Sequence, residues 1–232
     1  LLLDKGSSPL ASVIQNRGDG AYRRISDVFT GGGSPNSLAA GDMDNDDDID
    51  FVFANADGAP FVYENLGAGR FQLNEPADEL RNAPPSTRIH LADLNNDLRL
   101  DMVLVTKAGS LRIYFSTGTK SYRSEELTFS SAGKVRATCI ADLDNDGFLD
   151  LGVCYESENE PGELELFRGT PDGFLRLQRE LLPNEGKGFS AKQLLPEDAD
   201  LDGDMDLLVV EESGKLRLLV NEGTTGNHWL RV

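Results

Sequence analysis

Apolar residues gather along this chain in short runs, each closed on both sides by Gly, Pro, Asn or Asp. The densest are residues 49–54, 102–106, 151–155 and 207–211. Nothing polar interrupts Phe51-Val52-Phe53 or Leu207-Leu208-Val209-Val210. Runs this short, apolar at consecutive positions, predict strands buried on both faces. An amphipathic helix would space its apolar positions three and four apart, and that period is absent.

Each buried run has one predicted strand before it and two after. The first complete set is 37–41, 49–54, 59–64 and 71–73, ended by Asn74-Glu75-Pro76. The second is 88–92, 102–106, 111–115 and 122–127. The third is 137–141, 151–155, 163–167 and 174–177, with an insert at 157–162. The fourth is 190–195, 207–211, 216–221 and 228–232. Four short strands repeated about every fifty residues predict an all-β chain, a β-propeller of four-stranded antiparallel blades. A parallel β-helix would have shorter rungs. The predicted blades are 37–79, 86–129, 134–182 and 188–232, within one propeller region spanning 1–232. Residues 1–30 predict a partial blade, because the turn Asn16-Arg17-Gly18-Asp19-Gly20 before Tyr22 matches Asn65-Leu66-Gly67-Ala68-Gly69 before Phe71. That is about five blades' worth of strands, expected to come from a larger ring.

Between the first and second strand of every complete set lies a nine-residue acidic loop. The third reads D-L-D-N-D-G-F-L-D, with Asp142, Asp144, Asp146 and Asp150 at its first, third, fifth and ninth positions. Asp42, Asp44, Asp46 and Asp50 repeat the spacing, as do Asp93, Asn95, Asp97 and Asp101, and Asp198, Asp200, Asp202 and Asp206. The first Asp advances by 51, 49 and 56 residues. Alternate side chains turned inward by a tight loop bring hard oxygens together, the donor set calcium prefers. The sixth position, Gly147 or Gly203, calls for a backbone of positive φ. An EF-hand would need a helix next and a Glu at position twelve, where the third loop has Val153. The expected site is a calcium loop set between strands.

Charge sharpens this picture. The net charge is −18, which argues against a nucleic-acid partner. Eighteen of the 40 acidic residues lie in the four loops, and the rest of the chain is close to balanced. A solvated acidic face would be spread out, and an acidic tail would be a single block. No apolar run reaches membrane-spanning length.

D-x-D-x-D-G-x-x-D followed by an apolar strand resembles the FG-GAP or VCBS-type repeats of integrin-α-like propellers. The Asn-x-Gly turn before an aromatic fits the same pattern. The ending Gly226-Asn227-His228-Trp229-Leu230-Arg231-Val232 is similar to the opening of the ASPIC/UnbV segment that follows such propellers. The resemblance implies that the carboxylates bind calcium together with the carbonyl at position seven, here that of Asp48, Arg99, Phe148 or Asp204. The second loop departs from the pattern with Asn95 for Asp and Leu98 for Gly, and the first has Asp47 in the glycine place. Tightest binding is therefore expected at the third and fourth loops, and weakest at the second.

Other motifs are weaker. Cys139 and Cys154 flank the third loop and either pair across a hairpin or pack as small hydrophobes. Arg17-Gly18-Asp19 is an adhesion tripeptide in letters and an ordinary turn by position. His90 and His228 are expected to pack. No nucleophile elbow, P-loop or zinc spacing is present. Two functions follow: a non-enzymatic, calcium-stabilised interaction or adhesion module for an extracellular protein or matrix ligand, or a carbohydrate-binding or lyase-like propeller. Either would work outside the cell, at its surface or in a periplasm, where calcium is plentiful.

Overall fold

In the computed structural model, the described residues are 2–3, 11–25, 29, 31, 33–118, 120–129, 133–156, 162–176, 187–188 and 190–222. They form antiparallel sheets throughout. β1 (Leu2–Leu3), β2 (Ala11–Asn16) and β3 (Tyr22–Ile25) make a three-stranded sheet. β4 (Pro35–Gly41), β5 (Asp50–Asn55), β6 (Phe61–Asn65) and β7 (Phe71–Leu73) make the first four-stranded blade. The second is β8 (Ser86–Ala92), β9 (Asp101–Thr106), β10 (Leu111–Gly118) and β11 (Ser121–Leu127). The third is β12 (Lys134–Ala141), β13 (Asp150–Glu156), β14 (Glu163–Thr170) and β15 (Gly173–Arg176). β16 (Ala191–Glu197), β17 (Asp206–Glu211) and β18 (Leu216–Leu219) form the last sheet. The strand expected at 228–232, with His228 and the ASPIC/UnbV-like ending, lies outside the described residues, as does most of the insert at 157–162.

Strand order within each blade follows chain order, as hairpin connections require. The second strands are the most buried, with β9 buried at every position. Three of the first strands carry a register shift at one place, six residues before the loop: Asn36, Arg136 and Lys192 each fall in a bulge. A bulge adds twist to an edge strand and re-aims the residues beyond it.

The chain divides into two compact units, Leu1–Leu91 with Arg99–Glu126, and Ala92–Leu98 with Leu127–Val232. In the first, Val52 and Ala54 pack with Ile89, Met102, Leu104 and Tyr114, so one blade's face closes on the next. Phe29, Phe53, Phe61 and Tyr63 form an aromatic cluster, with Val13 of β2 against it. In the second, Cys139, Cys154, Leu164 and Leu166 pack with Ala191, Leu194, Leu207 and Leu219.

The all-β expectation holds, with one addition among the described residues: a single helical turn, α1 (Asp78–Arg81), links β7 to β8 and drops Leu80 into the first unit's core, where it is 2% exposed. Pro84 and Pro85 follow it closely and cannot extend it. The cysteines form no disulfide with each other. Cys139 lies opposite Gly152 and Cys154 opposite Ala137, so the two are offset by two residues, and both are buried thiols. The Cys139 sulfur occupies the space above Gly152, where a Cβ would come within 2.6 Å of it. Burial pushes both thiols up to about 12.

Candidate metal centres

Each loop is closed by its own first and ninth Asp. The first accepts two successive backbone N–H groups on its two oxygens: Asp46 and Asp47 onto Asp42, Asp97 and Leu98 onto Asp93, Asp146 and Gly147 onto Asp142, Asp202 and Gly203 onto Asp198, at 2.8–3.2 Å. The fifth accepts the N–H of position seven: Asp48 onto Asp46 and Phe148 onto Asp146 at 2.9 Å, Asp204 onto Asp202 at 3.0 Å. These bonds fold each loop back onto its first Asp.

The ninth Asp works differently. Asp50, Asp101, Asp150 and Asp206 are at most 1% exposed. Oδ1 of each accepts a backbone N–H at the end of the third strand, from Asn65, Ser116, Gly169 and Asn221, at 2.7–2.8 Å. In three of the loops Oδ2 accepts the N–H of position two, from Met43, Leu143 and Ala199, at 2.8–2.9 Å. The carboxylate therefore clamps loop and third strand together. Burial pushes Asp150 up to about 7 and raises Asp50, against the opposing effect of those backbone donors.

Three loops bring carboxylate oxygens within 4.8 Å of one another: Asp42, Asp44 and Asp50 in the first, Asp142, Asp144 and Asp146 in the third, and Asp198, Asp200 and Asp202 in the fourth. Oxygens held by one calcium ion at about 2.3–2.6 Å lie that far apart at most. The second loop forms no such trio of carboxylates among the described residues; Asn95 replaces one, and its amide donates to Asp97 at 3.1 Å. Arg99 of that loop donates to the Ser116 carbonyl at 3.3 Å. Asp44 Oδ1 is buried with no hydrogen-bond partner. Burial, then Asp50, Asp46 and Glu64, push Asp44 up to about 6. All-oxygen donors, a buried carboxylate oxygen without a donor and this spacing together fit a divalent cation.

The backbone has the expected positive φ at the sixth position and adds a second one. Positive φ occurs at two positions per loop, the fourth as well as the sixth: Asn45 and Asp47, Asn96 and Leu98, Asn145 and Gly147, Leu201 and Gly203. Asn tolerates the left-handed region far better than Leu. The fourth loop therefore bears strain at Leu201, which is 85% exposed, and the second at Leu98, 83% exposed. The fourth-position Asn also joins loops. Asn96 Nδ2 donates to the Gly147 carbonyl at 2.7 Å, and Asn145 Nδ2 donates to Asp204. The signal was in the sequence, as Asn at the fourth position of three loops.

Residues 42–104 and 93–153 match the family model described as the FG-GAP-like repeat, each match running from the first Asp of one loop, through the next loop, into the buried strand that follows it. Residues 42–153 are thus similar to FG-GAP-like repeats. Its fold is that of the BBS1N chain in crystals of its complex with ARL6DN, at 12% identity and TM-score 0.55 for the lead-soaked crystal, covering 87% of this chain and 56% of that one. The mercury-soaked crystal gives 14% identity, TM-score 0.50 and coverages of 93% and 62%. This chain thus spans less than two thirds of either. An Aleuria aurantia lectin in complex with Fucalpha1-6GlcNAc is similar at 12% identity and TM-score 0.49, covering 95% of this chain and 70% of that one. No curated protein matches the sequence. Among the described residues, no helix is long and apolar enough to cross a membrane.

Proposed function

We propose that this FG-GAP-repeat propeller binds calcium in its acidic loops and serves as an interaction module for an extracellular protein or matrix partner. The carrying observation is the three carboxylate trios, one with a buried oxygen that no donor reaches. Carboxylates this close repel one another and must protonate, splay apart or take a cation. Asp42, Asp44, Asp46 and Asp50, Asp142, Asp144, Asp146 and Asp150, and Asp198, Asp200, Asp202 and Asp206 would hold the ions, with the carbonyls of Asp48, Phe148 and Asp204. The ion would supply charge neutralisation and fix the loop between strands. Millimolar calcium outside cells suits loops of this kind. BBS1N, similar in fold, was crystallised with a protein partner.

The carbohydrate reading calls for exposed aromatic rings at repeated positions. Among the described residues, Tyr22 has most of its surface open, at 68%, whereas Phe71 at the matching place packs against Phe29. Calorimetric titration with calcium tests the metal, and a glycan array beside a pull-down from extracellular fluid tests the partner. Heat of binding and a melting temperature lowered by chelator are expected. A chain whose melting ignores both calcium and chelator would overturn the metal reading.

A further inference from the structure

The clamp aligns the four loops residue by residue. The N–H groups that reach the ninth Asp belong to Asn65, Ser116, Gly169 and Asn221. The residue just before each therefore holds an equivalent place: Glu64, Phe115, Arg168 and Val220. An anion, an aromatic ring, a cation and an aliphatic side chain stand at one structural position.

In the third loop this side chain reaches back into the acidic cluster. Arg168 Nε lies 2.8 Å from Asp144 Oδ2, and Nη2 lies 2.7 Å from Asp146 Oδ2. One guanidinium thus bridges two of the three carboxylates that form the trio. Asp144, at 9% side-chain exposure, is nearly sealed beneath it. A paired, fork-like contact of this geometry is among the stronger ion pairs. In the first loop Glu64 instead lies beside Asp44 and Asp50, lining with them a cavity of about 40 Å³. Glu64 accepts from Asn74 at 2.7 Å and faces Lys120 at 3.5 Å. Phe115 and Val220 bring no charge to the other two loops.

We propose that this position sets the ion affinity of each loop: Arg168 is a tethered cation that competes with a divalent ion for Asp144 and Asp146, and Glu64 is an added carboxylate that strengthens the first loop. The inference rests on the calcium reading above. It places the third loop, the most regular by sequence, below the first in affinity. A divalent ion entering the third loop must displace the guanidinium, so that loop is held folded by its own charge when calcium is scarce. In the first loop the cation at hand, Lys120, faces Glu64 at 3.5 Å and does not bridge two carboxylates of the loop as Arg168 does, so that loop depends more on the ion.

Calorimetric titration of the full chain with calcium, beside Arg168→Met, Arg168→Lys and Glu64→Gln, tests this. Arg168→Met should tighten one site about tenfold, and Arg168→Lys, which keeps the charge but loses the fork, less. The gain should vanish when Asp142→Asn is added, which places it in the third loop. Glu64→Gln should weaken a different site. In chelator Arg168→Met should melt below the parent chain, and calcium should abolish or reverse that difference. Should Arg168→Met fail to fold, Arg168→Gln carries the same test. If the parent binds calcium and Arg168→Met leaves every affinity unchanged or weaker, this inference falls while the metal reading stands. If no variant binds calcium, the metal reading itself falls.

Discussion

In the third and fourth loops the carboxylates at positions one, three and five and the carboxylate at position nine are the same chemical group in opposite circumstances. Asp142, Asp144 and Asp146 crowd together at a partly open surface, their oxygens within 4.8 Å. Asp150, eight residues after Asp142, is 0% exposed and has each oxygen on a backbone N–H at 2.8 Å. The first group is electrostatically unfinished. The second is finished by hydrogen bonds and costs desolvation, which is why its pKa rises. In the third and fourth loops a motif that looks like one set of ligands therefore divides into a clamp that the fold needs with or without an ion and a cluster that calls for a cation.

The sharpest way to break this division is to remove the clamp. Asp150→Ala orphans two buried N–H groups, at about 1–3 kcal/mol each, so it should destabilise the chain by about 2–6 kcal/mol. Urea melts in chelator should show the full loss, because the clamp needs no ion. Asp144→Asn should show little of it there, since it relieves repulsion even as it gives up the Arg168 contact. If both substitutions behave alike in chelator, the division is wrong.

Removing the ion acts on the other half. Each site bound only in the folded state stabilises by about 2.7 kcal/mol when calcium is a hundred times its dissociation constant. Chelator should lower the melting temperature accordingly, and Asp202→Asn should shrink that response. Asp97→Asn should shrink it least, because the second loop forms no carboxylate trio among the described residues.

A smaller effect sharpens the comparison within the turn. Leu201 has φ 64° where three loops have Asn, and the left-handed region costs such a residue about 1–2 kcal/mol. Leu201→Asn should stabilise the chain by about 1 kcal/mol and tighten the fourth loop's ion. Differential scanning calorimetry with and without calcium would measure both.

The smallest prediction comes from outside both halves. His90, on β8, has its pKa held below the ordinary 6.5 by burial and then by the charge of Arg88. Its neutral form is favoured in the folded chain, so the unfolded chain takes up the proton first as pH falls. Stability is kept above about pH 6.5 and lost below it. His90→Gln should flatten the melting temperature between pH 7 and pH 5 by the histidine's share, read as the difference between the two curves.

The strands and loops were legible because both are written in short-range spacing. An apolar run between turn residues means a buried strand, and Asp at alternate positions means converging oxygens. What escaped depends on register. Arg168 lies 22 residues from Asp146, and only the pairing of β13 with β14 brings it there. Cys139 and Cys154 look opposed by counting, but the hairpin register is offset, and Gly152 is small because a sulfur fills the space above it. The single turn of α1 is too short to show a period. Its acidic start and basic end, Asp78-Glu79 and Arg81, were the available signals.

The buried cysteine pair gives the third blade a built-in clock. Cys139 and Cys154 sit in strands on either side of the acidic loop and are sealed at 4% and 0% exposure. A thiol reagent in solution meets neither until the hairpin opens, so the rate of labelling counts openings of that blade. Anything that grips the loop between them slows the count.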